Sequence, residues 1–334
     1  MRTGPSRMLF VRALWFPICI AFCTPLKGQQ SEIEHEGRAY VDLATAGGRL
    51  GMSAYWLRGY KTFRLRSQWT TIDVGKGARI LYLNRMPIYL GFPTHEAGDR
   101  LYLAAADYQH VLQAILTPQL FPGKPSLGRI VLDPGHGGKD PGAQNAAHGL
   151  KEKNLVLDVA RRLRRALEEA GFEVIMTRDD DVYIPLERRP RIANRARADL
   201  FISIHFNAVA SAKPEGSETF AFTPQFQASS KFAKPSRQDN RSYPGNANDP
   251  WNTLLGYHLQ RAMTQRTGGV DRGLKRARWS VLRPLECPGV LVELGFVSHP
   301  ETARKLRNAG YRQTLAQSLY DGIIRYGNRL QRIP

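Results

Sequence analysis

From Ala39 to about Phe121, apolar and polar residues alternate with a period of two in short runs. They are Tyr40-Val41-Asp42-Leu43, Thr62-Phe63-Arg64-Leu65-Arg66, Thr71-Ile72-Asp73-Val74 and Arg79-Ile80-Leu81-Tyr82-Leu83. Such runs, broken by Gly, Asn and Pro, predict small antiparallel sheets. Asn84-Arg85-Met86-Pro87 reads as a turn before Ile88-Tyr89-Leu90, and Tyr108 to Leu116 has helical spacing. A stretch rich in Pro and Gly, Pro118 to Gly128, marks a boundary. Beyond it the pattern changes. Apolar runs predict strands at Arg129–Asp133, Phe172–Met176, Leu200–Ile204 and Val290–Leu294. Helical periods predict helices at Glu152–Ala170, Ile192–Arg197, Thr253–Thr267, Pro300–Leu306 and Leu315–Tyr326. In the first helix Leu155, Val159, Leu163 and Leu167 share one face, and Gly171 is a C-cap. Strands apolar on both faces and alternating with helices predict an α/β fold, a mostly parallel sheet flanked by helices. A small β-rich α+β module precedes it. In such folds the site lies at the carboxyl ends of the strands.

The expected organisation is a signal peptide at 1–28, a linker at 29–38, the small module at 39–121, a second linker at 122–128 and a catalytic domain at 129–328. Arg2, Arg7 and Arg12 precede Ala13 to Thr24, an apolar stretch too short to span a bilayer comfortably. That is the pattern of export to a periplasmic or extracellular location, with an uncleaved membrane anchor as the alternative. Cys19 and Cys23 lie in this segment, so the exported part keeps only Cys287 and forms no internal disulfide. The formal charge of +19 suits an anionic partner: nucleic acid, wall polymer or membrane surface. A generally basic surface with no specific partner fits as well. Export and the absence of a recognised binding motif argue against nucleic acid. Thr223 to Pro250, rich in Ser, Asn, Pro, Gln and Lys, is expected to be a long surface loop or lid.

The candidate chemistry starts in Ile130 to Asp140, IVLDPGHGGKD. An apolar strand breaks at Pro134-Gly135 and delivers His136 into a loop that Gly137 and Gly138 keep open. A His just past a strand end suits metal ligation, although a lone His is more often structural. Partners come from other strand ends. Glu152 opens the first helix, His205 ends LFISIH, and Glu293 sits in VLVELGF. Two His and one carboxylate form a catalytic zinc set, leaving a fourth position for water. Glu293, from a different strand facing the same end of the sheet, is the candidate general base. Ligands scattered over three segments signal less specifically than a local pair such as HExxH.

Several segments in order resemble the zinc-dependent N-acetylmuramoyl-L-alanine amidases of the type-3 family. They are Ile130–Gly142 (IVLDPGHGGKDPG), Leu150–Asp158 (LKEKNLVLD), Val174–Arg178 (VIMTR), Ala198–Asn207 (ADLFISIHFN), Gly216–Phe220 (GSETF), Asp271–Lys275 (DRGLK) and Pro288–His299 (PGVLVELGFVSH). The resemblance implies a twisted sheet flanked by helices. It also implies cleavage of the amide between N-acetylmuramic acid and the L-alanine of the peptidoglycan stem peptide. Carried over by position, zinc (Zn2+) ligands fall on His136, Glu152 and His205, and the catalytic glutamate on Glu293. Peptidoglycan is then the partner and the cell wall the place of action. A zinc peptidase acting within the stem peptide, or a silent wall-binding protein, are the rival readings. The module at 39–121 is similar in strand rhythm, and in LNRMPIYL, to the N-terminal domain of copper amine oxidases, which implies neither copper nor oxidase activity.

Two departures stand out. The segment after GSETF is long, and in some relatives a helix near here blocks the site until a protein activator removes it. Ser298-His299-Pro300 stands where relatives often have Asn before Pro, and His299 is expected to be a turn residue. Asp133 and Asp140 are candidates to orient His136 or substrate, with turn and capping roles as the alternative. Arg189, Asn194, His95, His110 and His148 are expected in structural or surface roles, and Cys287 in packing. Arg272, Lys275, Arg276 and Arg278 form a basic cluster with Trp279, suited to an anionic stem peptide or to a solvated face.

Overall fold

The alternation between Ser53 and Tyr89 folds as an antiparallel meander of β1 (Ser53–Trp56), β2 (Thr62–Arg66), β3 (Thr71–Gly75), β4 (Ile80–Leu83) and β5 (Met86–Tyr89). This computed structural model describes residues 31–334; the expected signal segment and the start of the first linker lie outside the described residues. The turn between β4 and β5 is shorter than the one expected. Asn84 and Arg85 both take positive φ, 48° and 73°, as a two-residue hairpin turn requires. Met86 and Pro87 already pair with Leu83 and Tyr82.

The described part of the first linker is not a linker. Glu32–His35 is a strand, antiparallel to Arg38–Asp42, because Ile33 packs against the small cluster of Tyr40, Phe92 and Tyr102. These two strands join Arg100–Ala104 and His95–Ala97 in a four-stranded sheet. Tyr108–Gln113 is a π-helical turn continuing into Ala114–Leu116.

The C-terminal half contributes β6 (Arg129–Pro134), α1 (Glu152–Glu169), β7 (Glu173–Met176), α2 (Arg188–Arg195), β8 (Leu200–Asn207), β9 (Ser217–Phe222) and α3 (Asp249–Thr267). β10 (Asp271–Ala277), β11 (Gly289–Phe296), α4 (Pro300–Arg307) and α5 (Ala309–Gln331) follow. Its strands run in the order β7-β6-β8-β11-β9-β10. All neighbours are parallel except β9 with β11. One face is closed by α1, α3 and α5 over Ile130, Leu132, Ile202 and Val292. The other carries Val131, Phe201 and Leu291 beneath Ala193, Val281 and Leu285, with Cys287 buried among them.

The meander does not stand apart from this sheet. Ile88 of β5 pairs in parallel with Leu274 of β10, so β5-β4-β3-β2-β1 extends one sheet to eleven strands. Pro87 lacks an N–H for a long ladder, and the junction is that single pair. Side chains hold it instead. Ile88, Leu81 and Leu112 share one core with Ala221, Tyr257 and Leu274 of the C-terminal half. A fully buried Leu or Ile contributes roughly 1.5–3 kcal/mol. Arg276, buried on the same side, donates to the His110 carbonyl at 2.9 Å.

Thr223 to Pro250 is packed rather than loose. Thr223, Gln227, Ala228, Ser229 and Asp239 are buried. Ser230 exchanges hydrogen bonds with the backbone of Arg276. Pro244–Asn248 is a 3-10 turn that leads into α3 at Asp249.

His258 on α3 faces α5. Burial first, then Arg329, Arg325 and Arg261, push its imidazole down to about 3 from the usual 6.5. A depressed folded pKa makes the stabilisation by neutral His258 fully present above pH 6.5 and lost as pH falls towards 3. Between about pH 7.5 and about pH 4.5, the thermal midpoint of the parent chain is expected to fall further than that of His258→Gln. Equal falls in the two proteins would remove His258 from the acid response.

Candidate metal centre

The strand β6 and the loop after it place His136. Pairing of β6 with β8 runs to Pro134 opposite Ile204 and continues as Gly135 N–H to the Ile204 carbonyl at 3.1 Å. Gly135 therefore lies against the next residue of β8, His205. A Cβ at Gly135 would stand 2.1 Å from the His205 ring, so only glycine fits. His136 itself takes φ 59°, a left-handed conformation that costs on the order of 1–3 kcal/mol and needs support. Two buried guanidiniums provide it. Arg189 donates to the carbonyls of Pro134 at 2.9 Å and His136 at 2.8 Å. Arg178 donates to Gly135 at 2.7 Å and Pro134 at 3.0 Å. Arg189 is held in turn by Asp133, fully buried at 2.8 Å, which also accepts from Thr177 and Ser203.

Glu152 begins α1 with its side chain 4% exposed. Its Oε1 lies 3.1 Å from His136 Nε2 and 3.0 Å from His205 Nδ1, and accepts from the Phe206 N–H at 2.9 Å. Its Oε2 accepts from the Ala143 N–H at 2.8 Å. Burial would raise this carboxyl, but hydrogen bonds from the rings of His136 and His205 outweigh it and hold it well below the usual carboxylate range. His136 Nδ1 meets Asp140 Oδ2 at 2.8 Å, which fixes the ring and leaves Nε2 facing Glu152. One ligand atom from each of His136, Glu152 and His205 falls within 4.8 Å of the others, a group that could hold a metal ion. Gly142 (φ 63°) seals this nest, since a Cβ there would meet the His136 ring at 2.6 Å and Glu152 at 2.7 Å. Two imidazoles and one carboxylate, braced by further hydrogen bonds, are a donor set that fits a divalent ion.

Glu293 is set by register. It lies opposite His205 across β8/β11 and opposite Glu218 across β11/β9. The three side chains form a row on one face of the sheet. Glu293 Oε2 is buried without a hydrogen-bond partner. Burial, then the charges of Glu152 and Glu218, raise its pKa well above the carboxylate range against the pull of Lys275. His136, Glu152, His205 and Glu293 line one cleft of about 450 Å3, whose walls include Leu186, Phe206 and Trp279.

Other residues take the places their chemistry allows. Asp140 orients His136, whereas Asp133 acts on it only through Arg189 and the loop backbone. His299 caps α4, accepting from the Thr302 N–H. Asn194 bonds the Pro284 carbonyl and the Glu286 N–H. His148 sits in a 3-10 turn, and His95 stacks on His35 at 3.7 Å. Neither they nor Cys287 line the cleft, and burial pushes the Cys287 thiol up to about 12. No residue of Thr223–Pro250 lines it either, so the segment flanks the cleft and does not cover it. The basic cluster is not a solvated face. Arg272 and Lys275 converge on Glu218 at 2.8 and 2.6 Å, Arg278 pairs with Asp239, and Arg276 points inward. Glu218, which also accepts from Asn207 at 3.0 Å, is the polar residue that sequence reasoning missed. The available signal was a carboxylate inside SETFAF, an otherwise strand-forming run.

A family profile described as N-acetylmuramoyl-L-alanine amidase matches residues 130–325. N-acetylmuramoyl-L-alanine amidase AmiC of Escherichia coli is 35% identical over 229 residues, covering 61% of this chain and 55% of AmiC. N-acetylmuramoyl-L-alanine amidase LytC of Bacillus subtilis is 35% identical over 197 residues, covering 59% of this chain and 35% of LytC. The chain thus spans about half the length of the first relative and about a third of the second. The crystal structure of N-acetylmuramoyl-L-alanine amidase from Clostridium difficile superposes with a TM-score of 0.51 at 28% identity, covering 60% of this chain and 97% of that one.

If Asp140 fixes the His136 ring, Asp140→Asn weakens divalent-metal binding about 10- to 100-fold. Competition with a metal-sensing dye measures this directly. Unchanged affinity would reduce Asp140 to a turn residue.

Proposed function

The chain belongs to the type-3 N-acetylmuramoyl-L-alanine amidase family, and from that premise we propose that it hydrolyses the amide joining N-acetylmuramic acid to L-alanine in peptidoglycan. One observation carries the reading. Three metal-competent side chains converge within 4.8 Å in the same cleft as an unpartnered, buried carboxyl.

His136, Glu152 and His205 would hold zinc. Two imidazoles and one carboxylate are a hydrolytic zinc donor set, and zinc bound there would supply Lewis acidity and a water acidified towards pKa ~7. The chain's own residues do the rest. Asp140 keeps the His136 ring oriented, and Arg189 and Arg178 keep the loop that carries His136 in its left-handed turn. Glu293 Oε2 takes a proton from the attacking water as the oxygen–carbon bond forms. It returns that proton to the L-alanine nitrogen as the carbon–nitrogen bond breaks. A carboxylate whose pKa is raised by burial is a stronger base for the first transfer and a ready acid for the second. Leu186, Phe206 and Val281 make the cleft walls apolar around these charges, which strengthens their action. The product is an intact stem peptide with a free amine. Export by the N-terminal segment and action in the cell wall complete the reading.

Purified peptidoglycan digested with the protein is expected to yield intact stem peptides by mass spectrometry, lost with a chelator and restored by zinc. Fragments cut within the peptide would replace this reading by a peptidase. Glu293→Gln lowers turnover by about 10²- to 10⁴-fold with its zinc content unchanged. A Glu293→Gln protein with full activity would remove Glu293 from proton transfer.

A further inference from the structure

The cleft does not end at Trp279. That ring also lines a second cavity of about 910 Å3, twice the size of the first. Its floor is the site-bearing face of β9 and β10, at Phe220 and Lys275, and its far wall is Tyr89 of β5. The roof comes from Ser229 to Asp239, within the long segment after GSETF. Arg79 of the N-terminal meander holds this roof by donating to the Phe232 carbonyl. The cavity is therefore built jointly by the C-terminal sheet, the long segment after GSETF and the N-terminal meander.

Apart from the inward-pointing Arg276, the lining holds five basic residues against two acidic ones. Both acids are already neutralised, Glu218 by Arg272 and Lys275, and Asp239 by Arg278. Lys231 and Lys234 stand exposed at the roof, with no carboxylate partner among the described residues. Beside them the rings of Phe232 and Trp279 are 59% and 43% exposed, and Phe220 meets Trp279 edge to face at 5.8 Å. An anion entering here meets uncompensated positive charge and aromatic surface, next to the reacting carbons.

We propose that this cavity binds the carboxylate-bearing peptide arm of the substrate, with Lys231 and Lys234 meeting its carboxylates and Trp279 and Phe232 covering its apolar stem. The inference rests on the amidase reading. Of the two arms leaving the scissile amide, the sugar arm offers ring faces but few charges, whereas the peptide arm carries free carboxylates. The surplus of cations selects the second. Trp279 lines both the cleft and the cavity, so the bound arm would run from the amide past Trp279 and across β9 and β10 towards Tyr89.

The test titrates the full-length Glu293→Gln protein by calorimetry with three probes: an L-alanyl peptide bearing free carboxylates, the same peptide with every carboxylate amidated, and an N-acetylated disaccharide. The free-acid peptide is expected to bind about tenfold more tightly than the amidated one. That preference shrinks as salt is raised, because exposed charges are screened. It disappears in a protein that also carries Lys231→Glu and Lys234→Glu, two exposed sites. Equal affinity for the two peptides overturns the proposal. So does a preference that survives the double charge reversal, or disaccharide binding as tight as that of the free-acid peptide. Turnover of peptidoglycan by the unsubstituted protein is followed in parallel. Turnover without a charge preference sinks only this site, whereas a missing turnover removes the amidase reading beneath it.

Discussion

The carboxylate of Glu152 is the interaction on which the rest of the centre depends. It sits at the first turn of α1, where the helix dipole favours a negative charge, and it is almost wholly removed from water. Burying a charge is costly unless every lone pair finds a partner. Here four groups answer it: two imidazoles and two backbone N–H groups, from Ala143 and Phe206. Those partners come from the loop after β6, the loop before α1 and the end of β8. A single carboxylate thus ties three chain segments to one point. The same oxygen that satisfies the rings is positioned to share a cation with them, so the energetics of burial and the geometry of metal binding impose one arrangement.

The sheet supplies what this knot cannot, a second buried carboxyl held in register. Neighbouring strands lie about 4.7–4.9 Å apart, and the register His205–Glu293–Glu218 sets three polar side chains in one row across three strands. A slip of one residue in β11 would turn Glu293 to the opposite face, among the helices. Register is secured there by Val290, Val292 and Leu294 packing into the helix-covered core. The apolar residues of VLVELGF therefore aim its one carboxylate.

Much of the centre was legible in the sequence because its residues stand where the hydrophobic pattern changes sharply. His136 follows an apolar run and His205 comes late in one, Glu293 interrupts one, and Glu152 opens the amphipathic helix α1. Arg189 and Asp133 were visible as residues but not as a pair, since the ion pair spans 56 positions and forms only once β6 and α2 are packed. Glu218 was hidden for the same reason, its partners lying 54 and 57 positions away on β10. The extension of the sheet into the N-terminal meander left no local trace. One Ile–Leu pair makes the junction, and an alternating strand reads the same whether its neighbour is another hairpin or a distant parallel strand. The strand at Glu32–His35 was missed because four residues with one apolar side chain carry too little pattern.

The positive charge of the chain also changes meaning once folded. A cluster such as Arg272 to Arg278 looks from sequence like a surface patch for polyanions. In the fold it alternates with the strand: Arg276 turns into the shared core, while Arg272 and Lys275 turn to the open face and neutralise Glu218. Without those two cations, Glu218 would place a second uncompensated negative charge beside Glu293. Lys275 also pulls directly against the rise that burial imposes on the Glu293 pKa. β10, which carries them, is the strand that β5 joins. The N-terminal meander thus braces the strand that sets the charge balance around the site, and the two halves of the chain form one electrostatic as well as one packed unit.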